Sequence, residues 1–161
     1  MPPFEVNYAE RPSRIPWPPI LLIGIVAIAA LLGWLRPLGW PGLDDWPARA
    51  VGFALGAVGI ALLIYSIVTL HRYGTTVLPD KAASALVTSG PYARFRNPIY
   101  LADCLIMLGL AEMTKNVWFV FGAALFAVLV TWLAILPEER HLEEKFGADY
   151  LDYRANTRRW L

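Results

Sequence analysis

Four apolar stretches, at residues 18–35, 48–70, 99–113 and 117–136, constrain this chain more than any other feature. Helical residues rise about 1.5 Å each, so about 20 of them span the roughly 30 Å of hydrocarbon in a bilayer. Three of the stretches reach that length, and the third, at fifteen residues, falls short. Only residues 114–116 separate it from the fourth, which makes the two an antiparallel hairpin whose first helix starts below the interface. With 57% hydrophobic and 17% charged residues, the composition is that of a bilayer protein rather than a soluble domain. The expected fold is all-α: a polytopic membrane protein with four transmembrane helices, the last two a tight hairpin, plus a C-terminal interfacial helix. Residues 1–161 form a single domain, with an arm and two anchor helices over 1–70. Residues 18–35 are read as a retained anchor, because no A-x-A site stands before a polar mature region and three more apolar runs follow.

The net charge of +1 carries no basic stripe of the kind a phosphate backbone requires, which excludes nucleic acid as a partner. Placement of charge says more. With four spans, the N-terminus, the 71–98 loop and the C-terminal tail share one side and hold eleven Lys and Arg, against three (Arg36, Arg49, Lys115) on the other. The positive-inside rule puts both termini in the cytoplasm, in the inner membrane for a bacterial protein. Cys104 alone cannot form an intrachain disulfide, and with only His71 and His141 beside it no metal-ligand spacing appears. A bis-histidine haem pair is disfavoured because no second pair and no haem-attachment motif accompanies it.

Residues 1–19 contain six of the thirteen prolines and predict an extended surface arm. Trp40 and Trp46, set among Pro and Gly, mark an interfacial turn on the far side. Gly52, Gly56 and Gly59 provide a small-residue face for close helix packing, and Gly52 and Gly56 would equally serve an oligomer. The loop over 71–98 is long, yet Leu86, Val87, Tyr92 and Phe95 around the Gly90-Pro91 turn predict that it folds back on the membrane. Pro137 should kink or end the fourth helix. Beyond it, Leu142, Phe146, Tyr150 and Tyr153 give a surface helix a greasy side, with an interruption at Gly147.

Asn97 followed by Pro98 is a strong helix start, a capping side chain and then a residue preformed for the first turn. The amide end of such a helix attracts carboxylate or phosphate, and Arg94 and Arg96 reinforce it. Glu138 and Glu139 leave the fourth span at the same depth and can accept hydrogen bonds from an ammonium or from ribose hydroxyls. Tyr92, Tyr100 and Trp132 offer aromatic faces to a cation or a purine. S-adenosylmethionine carries all the complementary groups; the bland alternative is an ordinary cap beside solvated charges.

LVTSGPYARFRNPIY, a short apolar hairpin, then PEERHLEEKFGADYLDYRANTRRW closely resembles the superfamily of isoprenylcysteine carboxyl methyltransferases and phospholipid methyltransferases. Those integral membrane enzymes share G-P-Y-x-x-x-R-H-P-x-Y and a later E-E-x-x-L-x-x-x-F-G-x-x-Y-x-x-Y. The resemblance covers residues 73–161 and implies that 71–161 is a cofactor-binding catalytic region. It implies that Gly90, Pro91, Tyr92, Pro98 and Tyr100 shape an S-adenosylmethionine site and that Glu138 and Glu139 bind the cofactor. Arg96, Asn97 and Trp132 complete the expected cofactor-binding set. Asn97 stands where the isoprenylcysteine enzymes have His; Asn can cap a helix and hydrogen-bond, but it does not titrate near neutral pH.

The expected catalytic group is Asn97, Tyr100, Asp103 and Arg154. Asp103 lies one helical turn beyond Tyr100 and could take a proton from an amine acceptor, whereas a carboxylate acceptor needs no base. Arg154 could hold an anionic group, or a lipid phosphate. The implied reaction is methyl transfer to a lipophilic acceptor that enters between helices among membrane lipids. Phospholipid headgroup N-methylation is the alternative, and a membrane interaction module without cofactor is the non-enzymatic one.

Overall fold

The computed structural model describes residues 15–75 and 83–161; most of the proline-rich arm expected over 1–19, and residues 76–82 of the long loop, lie outside the described residues. Among the described residues the chain is helical, with no strand beyond one isolated bridge. Helix α1 (Trp17–Leu35) has Pro18 and Pro19 in its first turn, where a missing N–H has no intrahelical partner to lose. Helix α2 (Trp46–Arg72) is capped by Asp45, whose carboxylate accepts the Ala48 N–H at 3.0 Å. Helix α3 is Pro98–Thr114, α4 is Trp118–Val130, α5 is Leu136–Phe146 and α6 is Ala148–Asn156.

Among the described residues three helices are long and apolar enough to cross a membrane: Trp17–Leu35, Trp46–Arg72 and the continuous Trp118–Phe146. Their outward faces are apolar, with Ile23 70% and Phe53 66% exposed. Water would penalise such surfaces, and lipid does not. The interior side chains meet between helices: Ile25 of α1, Tyr100 and Met107 of α3, and Ala123, Phe126 and Val130 of α4 form one core cluster. Hydroxyls inside the bundle are satisfied locally, Ser66 donating to the Leu62 carbonyl and Thr69 to the Tyr65 carbonyl, each at 2.7 Å.

Helices α2 and α3 approach backbone to backbone. A Cβ on Gly109 would fall 2.7 Å from the Gly56 nitrogen and 2.8 Å from the Gly52 oxygen, and one on Gly59 would fall 2.9 Å from the Ala102 oxygen. Gly52 is thus used inside the chain, whereas a Cβ on Gly56 would meet nothing within 4 Å. Helices α3 and α4 pack antiparallel, with Tyr100 edge-on to Phe126 and the Cys104 thiol at the Ala123 carbonyl. At their junction Lys115 adopts the left-handed conformation and donates to the Leu43 carbonyl and to Glu112. Asn116 bonds back to the Ala29 carbonyl at 3.0 Å, which ties the junction to α1.

The sequence predicts a break or kink at Pro137, and the helix does not end there. Five residues, Thr131–Ile135, form a π turn, and α5 follows without interruption. Proline has no N–H and its ring crowds the carbonyl four residues back; a wider turn just before it accommodates both defects. The inserted residue also rotates everything beyond it by about 100° around the helix axis. Gly147, at φ +53°, then separates α5 from α6, as expected for an interruption there.

Candidate functional site

The site assembles where the ends of α2, α3 and α5 meet the 83–92 segment and α6. Gly90 opens a short 3-10 turn, Gly90–Ala93, at φ +59°. A Cβ there would approach the Thr69 hydroxyl of α2 to 3.0 Å, so a larger residue would suffer both backbone strain and crowding. The turn buries Pro91 and Tyr92 and aims the chain into α3. The Tyr153 hydroxyl of α6 donates to the Tyr92 carbonyl at 2.7 Å.

The C-terminal tail runs parallel to residues 94–96. The Arg96 amide donates to the Arg158 carbonyl at 2.7 Å and the Arg158 amide to the Arg94 carbonyl at 3.2 Å. This ladder brings two guanidiniums to one acid. Arg159 grips both oxygens of Glu139, Nε to Oε1 at 2.9 Å and Nη2 to Oε2 at 2.7 Å, in the fork geometry of a strong ion pair. Arg96 reaches Oε1 through Nε and Nη2 at 3.3 and 3.2 Å, and its Nη1 donates to the Arg154 and Thr157 carbonyls. The hydrogen bond to Glu139 holds the Arg159 guanidinium above its ordinary pKa.

A cavity lies beside this cluster. Arg96, Asn97, Tyr100, Glu138, Glu139 and Tyr150 line its polar part, and Leu70, Leu86, Val87, Ile135 and Leu142 line its apolar part. Glu138 lies beside Tyr100 in the cavity lining. The Tyr150 hydroxyl is fully buried and, among the described residues, has no hydrogen-bond partner. Such a group is costly unless something else binds it. Burial drives the phenols of Tyr92 and Tyr150 well above their ordinary pKa and pushes Tyr153 up to about 12. These hydroxyls therefore remain donors near neutral pH rather than bases.

Of the residues singled out in the sequence, Tyr92, Arg96, Asn97, Pro98, Tyr100, Glu138 and Glu139 line the cavity. Gly90 and Pro91 shape its wall through the 3-10 turn. Three residues do not reach it. Trp132, in the π turn, is 72% exposed on the outer surface of the helix. Arg154 is paired with Glu143 at 2.8 Å on the exposed side of α6 and contributes only its carbonyl, to Arg96. Asp103 is buried between helices, one turn beyond Tyr100, outside the cavity lining.

Asn97 occupies the N-cap position without capping through its side chain; its Nδ2 donates to the Arg159 carbonyl at 3.0 Å instead. The tail competes successfully for that side chain, and no side chain caps the first turn of α3. His141 is fully buried and accepts the Ala83 N–H at 3.3 Å. Arg159 and Tyr150 were not visible as site residues in the sequence. Tyr150 carried a signal in its motif spacing, whereas Arg159 enters only through the fold of the tail.

The sequence profile described as phospholipid methyltransferase matches residues 47–149, from the first turn of α2 to the first turn of α6. The chain belongs to the phospholipid methyltransferase family. Both motif blocks of this family member fall largely within the match, which ends just before Tyr150 and the tail. It is 30% identical over 137 residues to the cobalt-zinc-cadmium resistance protein CzcN of Cupriavidus metallidurans, covering 85% of this chain and 58% of that protein. It is 25% identical over 137 residues to the nickel-cobalt-cadmium resistance protein NccN of Alcaligenes xylosoxydans xylosoxydans, covering 85% of this chain and 59% of that protein. The chain therefore spans about three fifths of the length of these two relatives. An uncharacterized protein of Haemophilus influenzae is 35% identical over 63 residues, 39% of this chain and all of that protein.

S-adenosylmethionine, the methyl donor that the family implies, finds a matching donor set in this cavity. An acid is available in Glu138, the α3 N-terminus that lines the cavity has no side-chain cap, and the orphan Tyr150 hydroxyl lacks a partner that a ligand would supply.

Proposed function

We propose that this protein transfers the methyl group of S-adenosylmethionine to a lipophilic acceptor at the cytoplasmic face of the membrane. The observation that carries the proposal is the convergence on a single cavity of Glu138, Tyr150 with its unpartnered hydroxyl, and the start of α3, which no side chain caps. Glu138, beside Tyr100 in the lining, would receive the ammonium or ribose hydroxyls of the donor. The α3 amides and Tyr150 would receive its carboxylate, with Tyr92 walling the site. The bound donor supplies an electrophilic methyl group on a sulfonium. The chain's own contribution is positioning and exclusion of water, the main sources of acceleration for an in-line displacement that disperses charge.

In this reading α3 is a fourth crossing that forms a tight hairpin with α4. Both termini and the cavity face the cytoplasm, in the inner membrane of a bacterial cell, because eleven of the fourteen Lys and Arg then lie on that side. The acceptor enters laterally past the apolar wall of Leu70, Leu86 and Leu142. A carboxylate acceptor suits a cavity whose second acid, Glu139, is already held by arginines, since no base is then needed. The family match favours a phospholipid amine as the second reading. The metal-resistance names of two relatives would then reflect altered lipids, and growth of cells carrying an inactive variant on cobalt, zinc or cadmium tests that link.

The deciding experiment incubates membranes containing the protein with methyl-labelled S-adenosylmethionine and analyses the lipid fraction. A base-labile labelled ester supports the carboxylate acceptor; label retained on a headgroup amine supports the phospholipid. Absence of incorporation, together with no donor binding in isothermal titration, would replace the enzyme with a membrane interaction module.

A further inference from the structure

The paired acids Glu138 and Glu139 are adjacent in sequence yet differ in surroundings. Glu139 is buried with both oxygens occupied, Arg159 bidentate on it and Arg96 on the second side of Oε1. Among the described residues Glu138 forms no ion pair and lies beside the Tyr100 phenol. The tail that delivers Arg159 is fixed at three further points. Its backbone pairs with residues 94–96, the Arg159 carbonyl accepts from Asn97, and Trp160 packs against the core cluster containing Ile25, Phe126 and Val130. A strap leaving α6 at Thr157 thus crosses the Asn97 turn and returns to the helix bundle. Through Arg159 and Glu139 it fixes the start of α5, the same turn of helix that presents Glu138 to the cavity.

We propose that Arg159 is a positioning residue: with Arg96 it clamps Glu139 to the C-terminal strap, and this clamp orients Glu138 toward the methyl donor. The proposal rests on the methyltransferase reading and deepens it by dividing the acid pair into one member that meets ligand and one that does not. The strap lies beyond the span matched by the family. Losing an ionic contact that fixes a ligand-binding side chain weakens binding on the scale of one charge-assisted hydrogen bond, which is roughly tenfold in affinity.

Two measurements on the solubilised full chain test it together: KM and kcat with S-adenosylmethionine, and hydrogen exchange of the 154–161 segment. Arg159→Ala should raise the donor KM roughly tenfold with kcat nearly unchanged, and should speed exchange at the Arg158 amide. A purely structural lesion would instead lower the amount of active protein at constant KM. Arg159→Lys, which keeps the charge and loses the fork, should restore slow exchange and part of the affinity. Glu139→Gln should copy Arg159→Ala, and the double variant should be no worse than either single. Glu138→Gln should lose donor affinity while the tail stays protected. The proposal is overturned if Arg159→Ala leaves KM at the wild-type value, or if Glu139→Gln frees the tail without affecting KM. A wild-type tail that is protected in a chain binding no donor would sink the methyl-transfer reading and leave the clamp. Donor binding by a chain whose tail exchanges freely would do the reverse.

Discussion

Tyr150 shows how a single side chain separates stability from function. Its ring packs against Tyr153 at 6.2 Å between centroids, but its hydroxyl is buried without a partner among the described residues. Removing that oxygen relieves a desolvation penalty, so Tyr150→Phe should leave the thermal midpoint unchanged or raise it by the equivalent of about 1 kcal/mol. The same variant should bind S-adenosylmethionine several-fold more weakly in titration calorimetry, because the ligand loses a donor. A fall in stability would show that the hydroxyl already has a protein partner. Since burial pushes Tyr153 up to about 12 and Tyr150 higher still, neither phenol ionises in ordinary assay buffers. Their neutral forms persist, and the pH profile of activity should carry no inflection from them between about pH 6 and 9.

Two elements set the geometry on which the site depends. The α2–α3 contact puts the Gly109 Cα against the backbone of Gly52 and Gly56, which cannot move aside as a flexible side chain could. Gly109→Ala should therefore destabilise the protein by about 1–3 kcal/mol. Gly56→Ala, with open space at its Cβ position, should be neutral or stabilising by about 0.5–1 kcal/mol from helix propensity. Thermal unfolding of the two variants in the same detergent decides the matter, and equal losses would refute the packing argument. The π turn is the second element. Deleting one residue within Thr131–Ile135 should restore α-helical pitch, rotate α5 by about 100° and carry Glu138 away from the cavity. The helix signal in circular dichroism should survive while donor binding is lost.

At the scale of the whole chain, function requires the α3 and α5 ends to lie on one side of the membrane. An impermeant thiol reagent applied to intact cells tests this with cysteines placed at exposed positions. Leu38→Cys, in the turn after α1, should label from outside. Ala93→Cys and Ala155→Cys should label only after permeabilisation. Labelling of positions 38 and 93 from the same side would show that α2 does not cross, and the proposed arrangement would fail. The far-side turn should tolerate the change at Leu38, because its anchors are elsewhere: Trp118 on the Arg36 carbonyl and Lys115 on the Leu43 carbonyl.

Helical class, three of the four expected spans and the two motif blocks were legible in the sequence because each depends on local pattern: run length, proline and glycine placement, and residue spacing. The same locality misplaced several side chains. An Asn-Pro pair implies a cap, but the tail's carbonyl claimed the Asn97 amide; a proline implies a break, but a π turn absorbed it; Trp132 and Arg154 have suitable chemistry and point elsewhere. Sequence alone could not say which member of Glu138-Glu139 would meet a ligand, since neighbouring helical positions differ by about 100° in direction and a π turn shifts the register. Only the return of the tail, 20 residues after Glu139, brings Arg159 to one acid of the pair. Long-range pairing of charges depends on where the backbone passes in space, and no local pattern encodes that.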